Sequence, residues 1–317
     1  MSGASSTTGA VDFVFFFIVG VSIFFLVLIT FLMIFFIIKY NKKRHIKAKN
    51  ISGSTTLEII WTVIPTIIVL FMFYFGWKGF TFLRTAPENA MNVKVTARMW
   101  SWLFEYENGI QTDTLYIPVH TPVKLLLQSL DVIHSFYVPA FRIKEDAVPG
   151  MENYLWFEAN ETGNYDVLCA EYCGLRHAYM LTKVVALSEE LFNEWYADMG
   201  NNLDKPLSEG ETNNEGANSK KAVAGSRLIR IKGCVACHSI DGSKMIGPTF
   251  KGAFGKKQVV LVDGQEKTVT IDEEYLRNAI LKPNQEIVKG YSPLMPPQEK
   301  QLTEEELVAI IQHLKEL

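Results

Sequence analysis

The sequence predicts a multidomain chain: a two-helix transmembrane hairpin, then an all-β sandwich, then a small all-α domain. Three observations carry this. Two long apolar runs stand near the N-terminus, short strand-like runs broken by Gly and Pro fill the middle, and helical patterning returns beyond a polar stretch. The 317 residues suffice for two folded domains plus extras. The net charge of −3 carries no basic excess that would point to nucleic acid as a partner.

Val11 to Ile38 is almost unbroken Phe, Ile, Leu and Val, with Asp12 the only charge. At 1.5 Å per residue such a run crosses a hydrocarbon core of ~30 Å with room for tilt. It is too long for the apolar part of a signal peptide, and no basic segment precedes it. A second apolar run, from Ile59 to about Leu83, is interrupted by Pro65 and Lys78. Membrane helices tolerate proline where neighbours satisfy the freed carbonyl. Between the runs lie Lys39, Lys42, Lys43, Arg44, Lys47 and Lys49, with no acidic residue until Glu58. The positive-inside rule puts this loop in the cytoplasm, and the N-terminal tail and everything after Arg84 on the outer side. Thr55 and Glu58 have capping-box spacing at the start of the second helix.

From about Asn92 to Leu187 the runs Val93–Ala97, Pro122–Leu127, Tyr154–Phe157 and Tyr165–Leu168 read as strands of a sandwich or barrel. Ser188 is placed to cap a helix that reaches Asp198, with Glu189 and Glu190 in its first turn. Residues 199–220, rich in Asn, Gly, Ser and Glu, read as a flexible linker. Beyond it a helix leads into Gly233-Cys234. Asp263-Gly264 signals a hairpin, and helices follow at about Glu273–Leu281 and Glu304–Leu317, the last with the capping pair Thr303 and Glu306. The expected boundaries are 1–84 for tail and hairpin, 85–198 for the sandwich, 199–220 for the linker and 221–317 for the C-terminal domain.

Cys169-Ala-Glu171-Tyr-Cys173-Gly-Leu-Arg-His177-Ala-Tyr-Met180 gathers two thiols, an imidazole and a thioether, and His134 arrives from an earlier loop. Soft thiolates with imidazole and thioether select copper, and two cysteines supply enough sulfur to bridge two ions. A disulfide would leave His177, Met180 and His134 idle; zinc prefers four N/S ligands without methionine; a blue-copper site needs one cysteine. Cys234-Val-Ala-Cys237-His238 has the spacing for covalent haem c, with two thioether bonds and an adjacent axial histidine. These assignments leave no cysteine for a disulfide.

The stretch Asp131-Val-Ile-His134-Ser-Phe-Tyr-Val-Pro139 through Asp146-Ala-Val-Pro149-Gly150, with Cys169 to Met180, resembles cytochrome c oxidase subunit II over roughly residues 10–198. The resemblance implies a cupredoxin-like sandwich, with Cys169 and Cys173 as bridging thiolates, His134 and His177 as terminal imidazoles and Met180 as a weak ligand. Glu171 would lend its carbonyl to one copper and its carboxylate to a Mg2+ shared with the catalytic subunit. Quinol-oxidising relatives lack the two cysteines. Met99-Trp100-Ser-Trp102-Leu-Phe104-Glu-Tyr106 resembles the family's aromatic stretch, in which Trp100 would receive electrons; alternating aromatics on a strand facing a core also fit this pattern. Glu58 matches a carboxylate at the mouth of a proton path. The C-terminal domain resembles class I cytochromes c: Met295, in Tyr291-Ser-Pro-Leu-Met295-Pro-Pro, matches their methionine loop, with Met245 the alternative axial ligand, and Ile246-Gly247-Pro248 matches the segment whose carbonyl braces the axial histidine. His313, on the last helix, reads as a surface residue.

The expected function is therefore subunit II of a proton-translocating haem–copper cytochrome c oxidase in a prokaryotic inner membrane. Both metal domains would lie on the periplasmic or outer side. Its partners would be the catalytic subunit I, other oxidase subunits, and cytochrome c or a quinol-oxidising complex as donor. A copper-containing nitric oxide reductase subunit and a membrane-tethered electron carrier are the alternatives; Glu171 and Glu58 lean toward the oxidase. Charge adds a further expectation. Residues 84–198 carry 8 basic and 16 acidic side chains, a balance of −8; residues 221–260 carry 8 basic and 1 acidic, a balance of +7; residues 261–317 carry 6 and 11, a balance of −5. The basic half, including Lys256 and Lys257, would dock on the acidic sandwich at the end of a linker whose r.m.s. span is roughly 25 Å.

Overall fold

The computed structural model of the chain describes residues 3–44, 47, 52–203, 224–299 and 301–317. Lys49, part of the basic loop, and residues 204–220 of the expected linker lie outside the described residues.

Helices α1 (Thr8–Lys39) and α2 (Thr55–Arg84), 32 and 30 residues long, pack side by side. Phe75 of α2 meets Phe13 and Phe17 of α1 edge-on, each at 5.5 Å between ring centroids. Nearly all the other large apolar side chains of both helices point outward, as lipid-facing helices require. The cap of α2 differs from the expected pair: Ser54 Oγ accepts from Leu57 N at 3.4 Å, so Thr55 is already the first helical residue. Two hydroxyl residues stand side by side, and the extended backbone of Ser54 makes it the cap. Glu58 remains in the first turn, where its charge complements the helix dipole.

The sandwich joins two five-stranded sheets. One contains β1 (Met91–Arg98), β2 (Ser101–Tyr106), β3 (Gln111–Thr112), β5 (Pro122–Ser129) and β8 (Asn153–Glu158), in the order β3-β2-β1-β5-β8. The other contains β4 (Leu115–Pro118), β6 (His134–Val138), β7 (Ile143–Ala147), β9 (Gly163–Cys169) and β10 (Leu181–Leu187), in the order β4-β10-β9-β6-β7. β1 pairs with β5 in parallel and the alternating residues Val123, Leu125 and Leu127 of β5 all face the core, as a half-buried strand requires. They meet Phe104, Phe136 and Phe157 there. Helix α3 (Glu189–Leu203) begins at Ser188, whose Oγ accepts from Leu191 N at 3.3 Å. It runs past Asp198 into the stretch read as linker. The physical reason is apolar: Trp195, Tyr196 and Met199 all pack on the sandwich core.

The hairpin and sandwich are tied at three places. The N-terminal tail lies against the sandwich as a short strand: Ser6 N donates to Glu158 O at 3.0 Å, Asn160 N donates to Ala4 O at 3.0 Å, and Thr7 Oγ1 donates to Phe141 O at 2.6 Å. Asp12, the lone charge of α1, pairs with Arg142 at 3.0 Å. At the end of α2, Arg84 pairs with Glu145 at 2.9 Å, Tyr154 OH donates to Arg84 O at 2.7 Å and Trp156 Nε1 donates to Phe82 O at 3.1 Å. The N-terminal tail and the sandwich therefore share one end of the hairpin, and the basic loop is at the other.

The C-terminal domain comprises α4 (224–231), the strands β11 (Lys257–Val262), β12 (Gln265–Thr270) and β13 (Ile287–Val288), and helices α5 (Glu273–Leu281) and α6 (Glu304–Glu316). Asp263 and Gly264 both have positive φ (50° and 81°), which makes the two-residue turn type I′. Ile229 of α4 packs with Ile310 and Leu314 of α6. The two helices cross at Gly225, where a Cβ would lie 2.2 Å from Ala309 O and 2.5 Å from His313 Cβ. His313 thus belongs to the helix crossing rather than the open surface, and burial lowers its pKa. At the start of α6, Thr303 and Glu306 form the full reciprocal capping box. Thr303→Ala is expected to destabilise this domain by about 1 kcal/mol, read from its thermal unfolding in the intact protein.

Candidate copper and haem sites

Five of the side chains singled out for metal binding, and one backbone carbonyl, converge at one end of the sandwich. Strands β6 and β9 are neighbours with Phe136 opposite Cys169, so His134, two residues from Phe136 on the same face, arrives beside Cys169. The β9–β10 loop supplies the rest, and Met180 enters from directly before β10. Cys169 Sγ lies 3.7 Å from Cys173 Sγ and 3.9 Å from His134 Nδ1; Cys173 Sγ lies 3.5 Å from His177 Nδ1 and 3.8 Å from Met180 Sδ. Glu171 O is 3.3 Å from Cys169 Sγ, while the residue is otherwise exposed. Both cysteines are free thiols, and His134 and Met180 are fully buried. Each sulfur thus has its own imidazole neighbour and both are within reach of one another. That donor set fits two soft ions sharing the thiolates.

Burial pushes both thiols up. At Cys169 the hydrogen bonds with His134 and the neighbouring backbone outweigh it and bring the thiol down to about 6. Cys173, buried beside that charge, is pushed up to about 12. One thiolate forms readily, and a cation held between the two sulfurs would draw off the second proton.

Two residues support this cluster. Trp100, half-buried at the β1–β2 turn, donates from Nε1 to Cys173 O at 3.2 Å. Trp102 is instead a core residue, edge-on to Phe136 at 5.3 Å and to His134 at 6.2 Å. Asp131 was not singled out from the sequence as a supporting group. Its Oδ1 lies 2.8 Å from His134 Nε2, and its carboxylate also accepts from Val132 N and Met99 N, each at 2.7 Å. A proton on Nε2 leaves Nδ1 as the nitrogen facing Cys169. An acid three residues before a histidine ligand was the available signal. Asp131→Ala is expected to weaken copper retention by about 10- to 100-fold, measured by competition with a chelator. Glu58 is not near this cluster: α2 has 30 residues, so its two ends are about 45 Å apart.

The second site lies after α4. Cys234 and Cys237 are free thiols, half-buried on a single turn, with His238 next. His238 Nδ1 faces Pro248 O at 2.7 Å, and the ring stacks on Phe250 at 4.5 Å with planes 9° apart. Burial keeps its pKa low, so the imidazole is neutral with Nε2 left for a metal. A Cβ at Gly247 would lie 2.7 to 3.0 Å from three atoms of the ring. Met295 is half-buried in the loop between β13 and α6, and Met245 half-buried in the loop after His238.

Sandwich and C-terminal domain touch through arginines rather than through Lys256 and Lys257, which are exposed. Arg98 and Arg176 of the sandwich donate to Ile231 O and Ala236 O, and Arg227 Nη2 donates to Gln111 O at 2.9 Å.

Family models match in three places. The transmembrane domain of cytochrome c oxidase subunit II matches residues 2–78, its periplasmic domain residues 109–187, and cytochrome c residues 222–317. Cytochrome c oxidase subunit 2 of Alkalihalophilus pseudofirmus is 33% identical over 305 residues, spanning 92% of this chain and 83% of that one. The Cereibacter sphaeroides protein of the same description is 30% identical over 209 residues, 53% of this chain and 69% of that one. A crystal structure of the periplasmic domain of subunit II of cytochrome oxidase from Bradyrhizobium japonicum aligns with 37% of this chain and 99% of its own, at 28% identity and a TM-score of 0.36. From its membrane hairpin through its sandwich, the chain belongs to the cytochrome c oxidase subunit II family, with a cytochrome c domain following.

Proposed function

We propose that this chain receives electrons for a proton-translocating haem–copper oxidase and hands them to a separate catalytic subunit that reduces oxygen to water. The observation that carries this reading is the cluster of Cys169, Cys173, His134, His177 and Met180 on one end of the sandwich. These residues, with the carbonyl of Glu171, would hold a dinuclear copper centre; Cys234 and Cys237 would anchor haem c, with His238 and Met295 axial. When bound, the two groups supply one-electron redox chemistry, haem c as the first acceptor and the copper pair as the second. The chain's own residues orient it: Asp131 fixes His134, Pro248 O and Phe250 fix His238, and Trp100 joins the copper loop to the β1–β2 turn through Cys173 O.

The exposed carboxylate of Glu171 is available to a Mg2+ at the boundary with the catalytic subunit. Glu58, in the first turn of α2 at the far end of the hairpin, would stand at the mouth of the proton path there. The basic loop faces the cytoplasm of a prokaryotic cell in this reading, with both metal domains on the outer side. Cytochrome c or an associated quinol-oxidising complex would be the donor.

Purification in mild detergent followed by a turnover assay tests this. The expected result is a copper–haem catalytic subunit in the same complex that consumes oxygen. A partner that consumes nitric oxide instead, or no catalytic partner, would overturn it.

A further inference from the structure

The haem-attachment turn rests on Arg98, Ser101 and Arg176 of the sandwich, beside Trp100 and the loop that carries the cluster, and the chemistry of that contact is specific. Gly233, immediately before Cys234, lies so close to the sandwich that a Cβ there would be 2.4 Å from Ser101 Oγ and 3.1 Å from Arg98 Nε. Arg98 reaches past it to Ile231 O while its Nε donates to Ser101 Oγ at 3.1 Å. Arg176 donates to Ala236 O and lies over the Tyr179 ring at 5.0 Å, which holds its guanidinium plane in place. Ala236 directly precedes Cys237, and Arg176 directly precedes His177. Ser101 directly follows Trp100, whose indole is bonded to Cys173 O. A cavity of about 390 Å³ remains between the surfaces, lined on one side by Trp100, Ser101 and Arg176 and on the other by Gly233, Val235 and Ala236.

We propose that Arg98 and Arg176 form a docking clamp that seats the cytochrome c domain of the same chain over Trp100, with Arg176 also bridging the haem-attachment turn to the copper-ligand loop. This rests on the function proposed above and adds the surface, its occupant and the residues that hold it. The clamp works by charge-assisted bonds from guanidinium to backbone carbonyl, which specify position through the fork of the arginine and need no carboxylate on the other side. It therefore differs from docking by opposite net charge. The basic residues that matter are Arg98 and Arg176 on the acidic sandwich; the segment they grip, residues 231–236, lies in the basic half of the cytochrome domain, whose Lys256 and Lys257 stay exposed. In the step served by the clamp, one electron leaves the haem iron, which is oxidised, and arrives at the copper pair, which is reduced; no bond forms or breaks and no proton moves. With the domain seated, the Trp100 turn is covered by its own cytochrome domain, so a separate donor delivers to haem c and not to copper.

The test uses the whole oxidase complex. Two readouts are taken on Arg98→Gln/Arg176→Gln and on Lys256→Glu/Lys257→Glu. The first is amide hydrogen exchange over residues 231–237 and 98–102 in the resting enzyme. The second is the rate at which an electron placed on haem c by a laser flash with a photoreductant reaches copper. The arginine variant is expected to exchange about tenfold faster in both segments and to transfer about tenfold more slowly, with the lysine reversal changing neither. Unchanged exchange in the arginine variant, or the same losses from the lysine reversal, would overturn the clamp. Arg176 adjoins a copper ligand, so the copper EPR spectrum is recorded alongside. Should it change, Arg98→Gln/Ser101→Trp, which removes one arm and adds bulk facing Gly233, must give the same rise in exchange, and no rise overturns the clamp. If the unsubstituted oxidase moved no electron from haem c to copper, the parent reading would fail, while the exchange result would still decide the docking surface.

Discussion

Cys173→Ser is expected to lower oxygen consumption by more than about 100-fold, beyond the 10- to 100-fold typical of losing an outer-shell partner. The reason is the position of one sulfur. Cys173 Sγ is the common neighbour of Cys169 Sγ at 3.7 Å, His177 Nδ1 at 3.5 Å and Met180 Sδ at 3.8 Å. A serine oxygen is hard, poorly acidic and shorter in reach, so it neither bridges two soft ions nor holds the second one beside His177 and Met180. What remains is Cys169 with His134, a single-thiolate site. Metal analysis of the purified complex should fall from two coppers per chain in this domain to one or none. The haem c of the same chain should still be reduced by donor, because its anchors are on a different domain. Full copper content with normal turnover would mean that the cluster is not the acceptor.

Gly247→Ala is expected to destabilise the cytochrome domain by about 1–3 kcal/mol and to disturb the axial histidine. The added Cβ would sit 2.7 to 3.0 Å from three atoms of the His238 ring. The ring has no easy retreat. Phe250 is stacked parallel to it at 4.5 Å, and Nδ1 is bonded to Pro248 O at 2.7 Å. Relief must come from tilting the imidazole, which gives up that bond, or from moving the segment that carries both Gly247 and Pro248. Either route weakens the hold on Nε2. The measurements are a thermal melt followed at the haem absorbance and the spin state of the oxidised haem. An unchanged melt and an unchanged low-spin spectrum would show that the segment yields without cost.

What could be read from sequence was what is encoded locally. Cys169, Cys173, His177 and Met180 fall within twelve consecutive residues, so a single loop had to bring them together. The Asp263-Gly264 turn and the Thr303–Glu306 box are each specified by residues one or three positions apart, and both form as expected. Legibility failed where distant contacts decide. Ser54 and Thr55 are both capping residue types, and the extended backbone of Ser54 is what makes it the cap. The extension of α3 depends on Met199 finding the sandwich core, and the setting of His313 depends on Gly225, far away in the chain. Asp131 acts through bonds to His134 and Met99, the latter 32 positions away. Counting charge pointed to the half 221–260, part of which does lie against the sandwich, but a sum has no geometry and could not name the contacts. Arg98 and Arg176 reach carbonyls of that half, which carry no formal charge to count, while Lys256 and Lys257 stay exposed.

The three ties between hairpin and sandwich have a mechanical meaning. The tail bonded at Phe141, the Asp12–Arg142 pair and the Arg84–Glu145 and Tyr154 group attach both helix ends to the same body. A helix whose apolar length exceeds the local bilayer thickness responds by tilting. Tied at one helix alone, the sandwich could stay level while that helix leaned. Tied at both, the sandwich cannot turn about either helix alone, and hairpin and sandwich are held as one body. Where the cluster points is thus set by the pair of helices together, through a handful of polar contacts at the end of the hairpin that meets the sandwich.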